Sequence, residues 1–172
     1  KVALAAADSA AGISRSYYAG NFAVTTKADK TPVTQADVEC EHAIREVILS
    51  AFPEHGFYGE ETGQTQGDAE FLWLVDPIDG TRSFLSGHPL FGFLLGHLNG
   101  GEPEIGVIGM PALGEVFLGV RGKGATMNGR AIHCSDQTDL GQAILYINEG
   151  EKIYRDYPEV FEALTNCGQT RR

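Results

Sequence analysis

The chain has 172 residues, in which acids outnumber bases 23 to 13 for a formal charge of −10. That length suits one domain with a full core, and 42% hydrophobic with 21% charged residues is an ordinary globular balance. The acidic surplus argues against a nucleic-acid binder or an anionic-membrane binder, which would carry a basic face. A phosphorylated substrate stays compatible with it if a cation sits between.

No apolar run approaches the ~18 residues that a membrane-spanning helix needs. Cys40, Cys134 and Cys167 are scattered and odd in number. Neither a disulfide scaffold nor a structural zinc site is expected, and a reducing, cytoplasmic setting is. The Ala-rich start is interrupted by Asp8 and lacks a basic cluster, so it reads as an amphipathic helix, not a signal peptide.

In chain order, residues 2–19 favour a helix, with Val2, Ala5, Ala6, Ile13 and Tyr17 near helical spacing and Gly20 as its cap. AVTT (23–26) reads as a short strand and KADKTP as a loop, because Pro32 disfavours helix at Thr31. Thr34 then N-caps a second helix from Gln35 to about Ser50, whose apolar face draws on Val38, Ile44, Val47 and Ile48. After FPEHG the pattern changes. FYGEE, FLWLVD, LFGFLLGHL, EIGVIGM, EVFLGV and AILYI are short apolar runs separated by turn residues, and they read as strands. Several gaps are too short for helical crossovers, so the sheet is expected to be largely antiparallel. Asn128-Gly129 marks a turn, and Pro158 opens a short helix, PEVFEAL. The expected fold is α+β: two N-terminal helices packed on a six-stranded, largely antiparallel sheet.

The acids carry the chemical signal. Glu60 and Glu61 end FYGEE, Asp76 ends FLWLVD, and Asp79 follows in the turn. If those strands are neighbours, four carboxylates gather at one end of the sheet. At ~4 Å and an effective dielectric of ~20, each like-charge pair costs about 4 kcal/mol. Protonation or a bound cation relieves that. Oxygen-only ligands without nearby His or Cys favour a hard ion, Mg²⁺ before Ca²⁺. Pro77 fixes its own φ, so a tight turn there can aim both aspartates and the Ile78 carbonyl at one place. Gly80 and Thr81 open a short helical segment, TRSFL, whose free amides can hold a phosphate oxygen. Taken singly, each piece has a plainer role. Glu60-Glu61 is a solvated turn, Asp76 or Asp79 a turn acid, Asp37 an N3 residue balancing a helix dipole, and Lys27 a surface lysine. Their joint occurrence in this order is what points to a site.

DPIDGTRSF with the preceding WLV resembles the signature of the inositol monophosphatase family of Mg²⁺-dependent, lithium-sensitive phosphatases. Gly59–Glu61 is similar to its second motif, and KADKTPVTQAD, Lys27 to Asp37, to its N-terminal motif. With FPEHGFYGEE, GHPLFGFLLG and RGKGATMNGR, the subfamily it looks most like is the histidinol-phosphate phosphatases. The resemblance implies a layered α/β sandwich, a small phosphorylated metabolite as substrate and a homodimer. It implies that Glu60, Asp76 and the Ile78 carbonyl hold one Mg²⁺ and that Asp76 and Asp79 share a second. The amides of Gly80 and Thr81 would bind phosphate. Asp37 and the Thr81 hydroxyl would orient an attacking water, Glu61 would assist, and Lys27 would lie close by as a supporting charge.

The same resemblance implies more chain after Arg172, including an aspartate completing the second metal position. The chain is therefore expected to be a fragment that binds one Mg²⁺ adequately and a second poorly. Signatures of other phosphatase chemistries (C-x5-R, D-x-D, R-H-G) are absent, as are a P-loop and a G-x-S-x-G elbow. The histidines His42, His55, His88, His97 and His133 lack metal-ligand spacing and are expected to be structural or surface residues. An inositol-1-phosphate or other sugar or nucleotide phosphatase is the alternative within the enzyme class. A non-catalytic metal- or phosphate-binding module is the alternative outside it.

Overall fold

The structure, a computed structural model, describes the chain except residues 19, 21–23, 27–31, 148–149 and 172; at 24–26, 32–33 and 169–171 it describes backbone alone. Lys27 and most of the loop before Pro32 therefore lie outside the described residues. The contacts divide the chain into two compact units, Lys1–His133 and Cys134–Arg172.

The first unit opens with helix α1 (Val2–Tyr17), then β1 (Val24–Thr26), β2 (Pro32–Thr34) and helix α2 (Gln35–Ala51). β1 and β2 pair as a small antiparallel ribbon. Next come β3 (Gly56–Gly59), β4 (Gly63–Thr65), β5 (Phe71–Asp79) and the short helix α3 (Thr81–Leu85). The unit ends with β6 (Gly92–Asn99), β7 (Glu102–Met110), β8 (Glu115–Val120), β9 (Gly124–Met127) and β10 (Arg130–Ile132). The eight strands β3–β10 form one sheet in the order β10-β9-β8-β7-β6-β5-β3-β4.

The α+β class holds, but the sheet has eight strands rather than six. β4, β9 and β10 are only three or four residues long and carry no apolar run for sequence reading to find. The Asn128-Gly129 turn joins β9 to β10 as expected, with both residues at positive φ. AILYI leaves the large sheet: its core Ile144–Tyr146 is β11, paired in parallel with β12 (Gln169–Arg171) in the second unit. That unit also contains helix α4 (Gly150–Asp156), which the sequence did not suggest, and α5 (Pro158–Asn166), which begins with Pro158 as expected.

Both long helices pack on each other and cover one face of the sheet. Of the stripe read from spacing, Ala6 is buried and Val2, Ile13 and Tyr17 pack partly buried against the core. α1 buries Ala3, Ala6, Ala7, Ala10, Ala11 and Ser14, while Ala5 is exposed. Small side chains let the helices approach closely: the Cys40 thiol on α2 donates to the Ala10 carbonyl at 3.5 Å. α1 stops at Tyr17, and Gly20 is not its cap. Tyr18 turns extended at φ −56°, ψ 130°, because its ring packs on Phe91 and its hydroxyl donates to Gly87 O at 2.6 Å.

On α2 the buried residues are Ala36, Asp37, Cys40, Glu41, Ile44 and Ile48, and Val38 faces solvent. Ile44, Ile48, Phe57, Trp73, Val75, Phe93, Leu95 and Val107 fill the space between helices and sheet, each apolar side chain stabilising by roughly 1.5–3 kcal/mol when fully buried. The opposite face of the sheet leaves Tyr58, Leu94 and Ile108 exposed.

Candidate active site

One pairing differs in kind from its neighbours. β3 runs parallel to β5, with Gly59 opposite Val75, whereas every other ladder of the large sheet is antiparallel. The connection from Glu60 to Glu70 is short for a parallel crossover. It folds back as the edge strand β4 instead of forming a helix. Parallel strands end at the same edge, so Glu60, just past β3, arrives beside Asp76 on β5. The Glu60 amide fixes this by donating to Val75 O at 3.1 Å.

A bulge then aligns the second aspartate. Asp76 faces Leu94 and Asp79 faces Gly92, so β5 spends three residues where β6 spends two. Side chains alternate along a strand, so residues three apart would normally point to opposite faces. The extra residue resets that alternation. Pro77, which lacks an N–H, and Ile78 are buried in this irregular step, one of the few places a central strand tolerates proline.

The result is a stressed carboxylate. Asp76 Oδ1 is buried without a hydrogen-bond partner. Burial, then the charges of Glu60 and Asp79 and a hydrogen bond with Glu60, raise the Asp76 carboxyl from 3.8 to about 7. A hydrogen bond between two carboxyl groups needs a proton on one of them, or a cation in its place. Among the described residues no group of three His, Cys, Asp or Glu stands ready-made to hold a metal. Asp76 with Glu60 is therefore the nucleus of the arrangement, and Asp79 acts on it through its charge. The donor set is all oxygen, which fits a hard divalent ion, and the bare Oδ1 is an acceptor such an ion would satisfy.

β5 passes into α3 through Gly80, which sits at φ 81°. A Cβ there would also meet Leu90 O at 3.2 Å, so both backbone and space call for glycine. Thr81 follows, its hydroxyl donating to Ile78 O at 3.1 Å. α3 packs beside β2, whose last residue, Thr34, caps α2. Thr34 and Asp37 form a full capping box. Asp37 Oδ2 accepts from the Thr34 amide at 2.8 Å and from its hydroxyl at 2.5 Å, and the Asp37 amide donates back at 3.4 Å. The plain role read for Asp37, a first-turn acid on α2, is thus present, and the residue is almost wholly buried.

Sequence reading missed Glu41. It lies one turn beyond Asp37 on α2, is 0% exposed, and accepts from the Glu61 amide at 2.7 Å, the Thr62 amide at 2.8 Å and the Thr62 hydroxyl. Arg45, a further turn on, donates to Thr62 Oγ1 at 2.7 Å and to Thr65 Oγ1 at 2.7 Å, and stacks on Phe57. His55 and His97 lie among Phe52, Phe71 and Trp73, toward the start of β5, where His55 Nδ1 accepts from the Trp73 indole at 3.0 Å.

The inositol monophosphatase family pattern matches residues 1–166. The chain is 38% identical to a histidinol-phosphatase from Chlorobaculum parvum, over 89% of this chain and 60% of that protein. It is 37% identical to inositol monophosphatase 1 of Solanum lycopersicum, over 84% of this chain and 54% of that protein. Its fold matches the crystal structure of the extragenic suppressor protein suhB from Bartonella henselae with a TM-score of 0.87 at 29% identity, covering 99% of this chain and 68% of that one. The fold thus agrees with one class, the fold of that solved structure. The chain belongs to the inositol monophosphatase family, and spans a little over half the length of these two curated relatives. Among the described residues no helix is long and apolar enough to cross a membrane.

Proposed function

We propose that this chain carries the metal-binding part of a Mg²⁺-dependent phosphomonoesterase acting on a small phosphorylated metabolite, with histidinol phosphate as the leading substrate. The observation that carries it is the buried, unpartnered Oδ1 of Asp76 set beside Glu60 and Asp79. Glu60, Asp76 and the Ile78 carbonyl hold one Mg²⁺, and Asp76 and Asp79 share a second. Bound there, Mg²⁺ neutralises phosphate charge and makes water more acidic.

The chain's own groups do the rest. The Gly80 and Thr81 amides at the start of α3 hold phosphate oxygens. Asp37 and the Thr81 hydroxyl orient the water, and Glu61 supports them from the adjoining turn. Water in line with the leaving oxygen needs no covalent enzyme intermediate. A cytoplasmic homodimer belongs to the same proposal.

The relative named a histidinol-phosphatase supports the leading substrate, and the relative named inositol monophosphatase 1 supports inositol 1-phosphate almost equally. Phosphate release by the full chain decides between them. Histidinol phosphate, myo-inositol 1-phosphate, fructose 1,6-bisphosphate and adenosine 3′,5′-bisphosphate are to be compared with and without Mg²⁺. Mg²⁺-dependent release, fastest from histidinol phosphate, is the expected result. A faster inositol 1-phosphate reaction selects the alternative substrate. Mg²⁺ binding with no release from any of them, even with the expected C-terminal part restored, leaves a binding module.

A further inference from the structure

We infer that Glu41 is a positioning residue for the acidic turn at the end of β3, holding Glu60 and Glu61 where a divalent cation can use them. The inference rests on the metal-site reading of Glu60 and Asp76 and adds to it a residue outside the acidic motifs read in this sequence.

Glu41 sits among the core residues of α2, between Cys40 and Ile44, with no exposed surface. A carboxylate removed from water is costly unless donors meet it. Here the donors come from one place. Oε2 receives the Glu61 amide at 2.7 Å, and Oε1 receives the Thr62 amide at 2.8 Å together with the Thr62 hydroxyl. Two successive amides on the two oxygens of one carboxylate fix the peptide planes on both sides of Glu61. They therefore fix the directions in which Glu60 and Glu61 leave the backbone.

Further contacts make the grip specific. A Cβ on Gly59 would lie 2.0 Å from Glu41 Oε1, so the carboxylate occupies the space that any other side chain at position 59 would fill. Arg45 braces the far side of the turn through Thr62 Oγ1 and, at 3.1 Å, Gly63 O. The Glu60 amide is tied to Val75 O, one residue before Asp76. Glu60 is thus held between α2 on one side and β5 on the other. The residues Asp37, Glu41 and Arg45 follow one another at four-residue spacing on the same helix face. α2 accordingly connects the proposed water-orienting acid to the turn that presents the cation's ligands.

The test compares Glu41→Gln with Ile44→Val in the full chain. Both residues are buried on α2, but only Glu41 touches the turn. Glutamine keeps the shape and presents an NH₂ where an acceptor is needed. Mg²⁺ affinity by titration calorimetry and amide hydrogen exchange of the metal-free chain are the readouts, with melting temperature recorded for each variant.

Glu41→Gln is expected to weaken Mg²⁺ binding about tenfold, the lower end of the range for partners that orient metal ligands. It should also speed exchange at the Glu61 and Thr62 amides. Ile44→Val should bind Mg²⁺ as the parent does, even after the melting temperatures are matched by changing the temperature of measurement. Should Glu41→Gln not fold, Thr62→Val removes one of the donors, and a smaller change in the same direction is expected. Parent-like Mg²⁺ affinity in Glu41→Gln, or in Thr62→Val where that is the variant in use, overturns the positioning role and leaves the metal site standing. Unchanged exchange at the two amides overturns the clamp. Failure of the parent itself to bind Mg²⁺ rejects the metal-site reading, and the positioning role with it.

Discussion

Two carboxylates lie on either side of the Glu60–Glu61 turn and live under opposite conditions. Glu41, on the helix side, is fully buried and meets donors from Glu61 and Thr62. Asp76, on the strand side, keeps one buried oxygen without a partner and faces two other acids. A buried polar group that folding has satisfied maintains structure. One left wanting keeps a capacity to bind something else. The difference separates the residue that holds the turn from the residue the turn serves.

The sharpest way to break this contrast is to neutralise each acid in turn. Asp76→Asn should cost more than the roughly 10–100-fold in Mg²⁺ affinity expected for an outlying partner, with turnover falling alongside in a phosphate-release assay. The same change should raise the melting temperature of the metal-free chain at pH 8, because it removes a charge that burial and two neighbouring acids oppose. Glu41→Gln should lower that temperature. If both changes moved it the same way, the distinction would fail.

Gly59→Ala probes the packing of the helix-side carboxylate. The added methyl collides with Glu41 Oε1, and overpacking of this kind costs about 1–3 kcal/mol. Chemical denaturation should report that loss. Metal affinity should fall as well, since the collision displaces the carboxylate that fixes the turn.

The gentlest effect is on pH dependence, because Asp76 is partly open to water and screening weakens it. Its carboxyl, at 3.8 in the unfolded chain and about 7 in the fold, keeps its proton longer when folded. Across that interval the native state binds more protons than the unfolded one, so this contribution to stability is present at low pH and declines as pH rises. Thermal melts of the metal-free chain should show a gradual fall toward pH 7 and a plateau above it. Mg²⁺ displaces the proton, so its affinity should rise with pH over the same interval, and its addition should flatten the melting profile.

Much of this contrast is half legible in the letters. DPID announces its acids because a proline between two aspartates at the end of an apolar run is hard to explain by packing. The GEE motif is similarly conspicuous. Glu41 gives no such sign. A glutamate four residues after an aspartate on a helix looks like an ordinary solvated acid, and its donors come from chain twenty residues further on. The parallel pairing of β3 with β5 was hidden for a related reason: the short connection suggested hairpins, and the strand that fills it, Gly63–Thr65, is too polar to be noticed. AILYI was rightly expected as a strand, but which sheet a strand joins depends on its partner, Gln169–Arg171, and not on its own residues. On α1, helical spacing found Val2, Ala6, Ile13 and Tyr17, but it included the exposed Ala5 and missed the small residues Ala3, Ala7, Ala10 and Ala11 buried there.

The irregular step in β5 has a consequence for how this chain can vary. Because of the surplus residue between them, Asp76 and Asp79 stand three apart in sequence yet face Leu94 and Gly92, two apart on β6, and so keep one side of the sheet. Dropping either Pro77 or Ile78 would restore an even ladder with the two acids still on one side of the sheet, but without the bulge that now spaces them. Substitutions within the interval are a question of fit, whereas a deletion there changes the distance between the two acids.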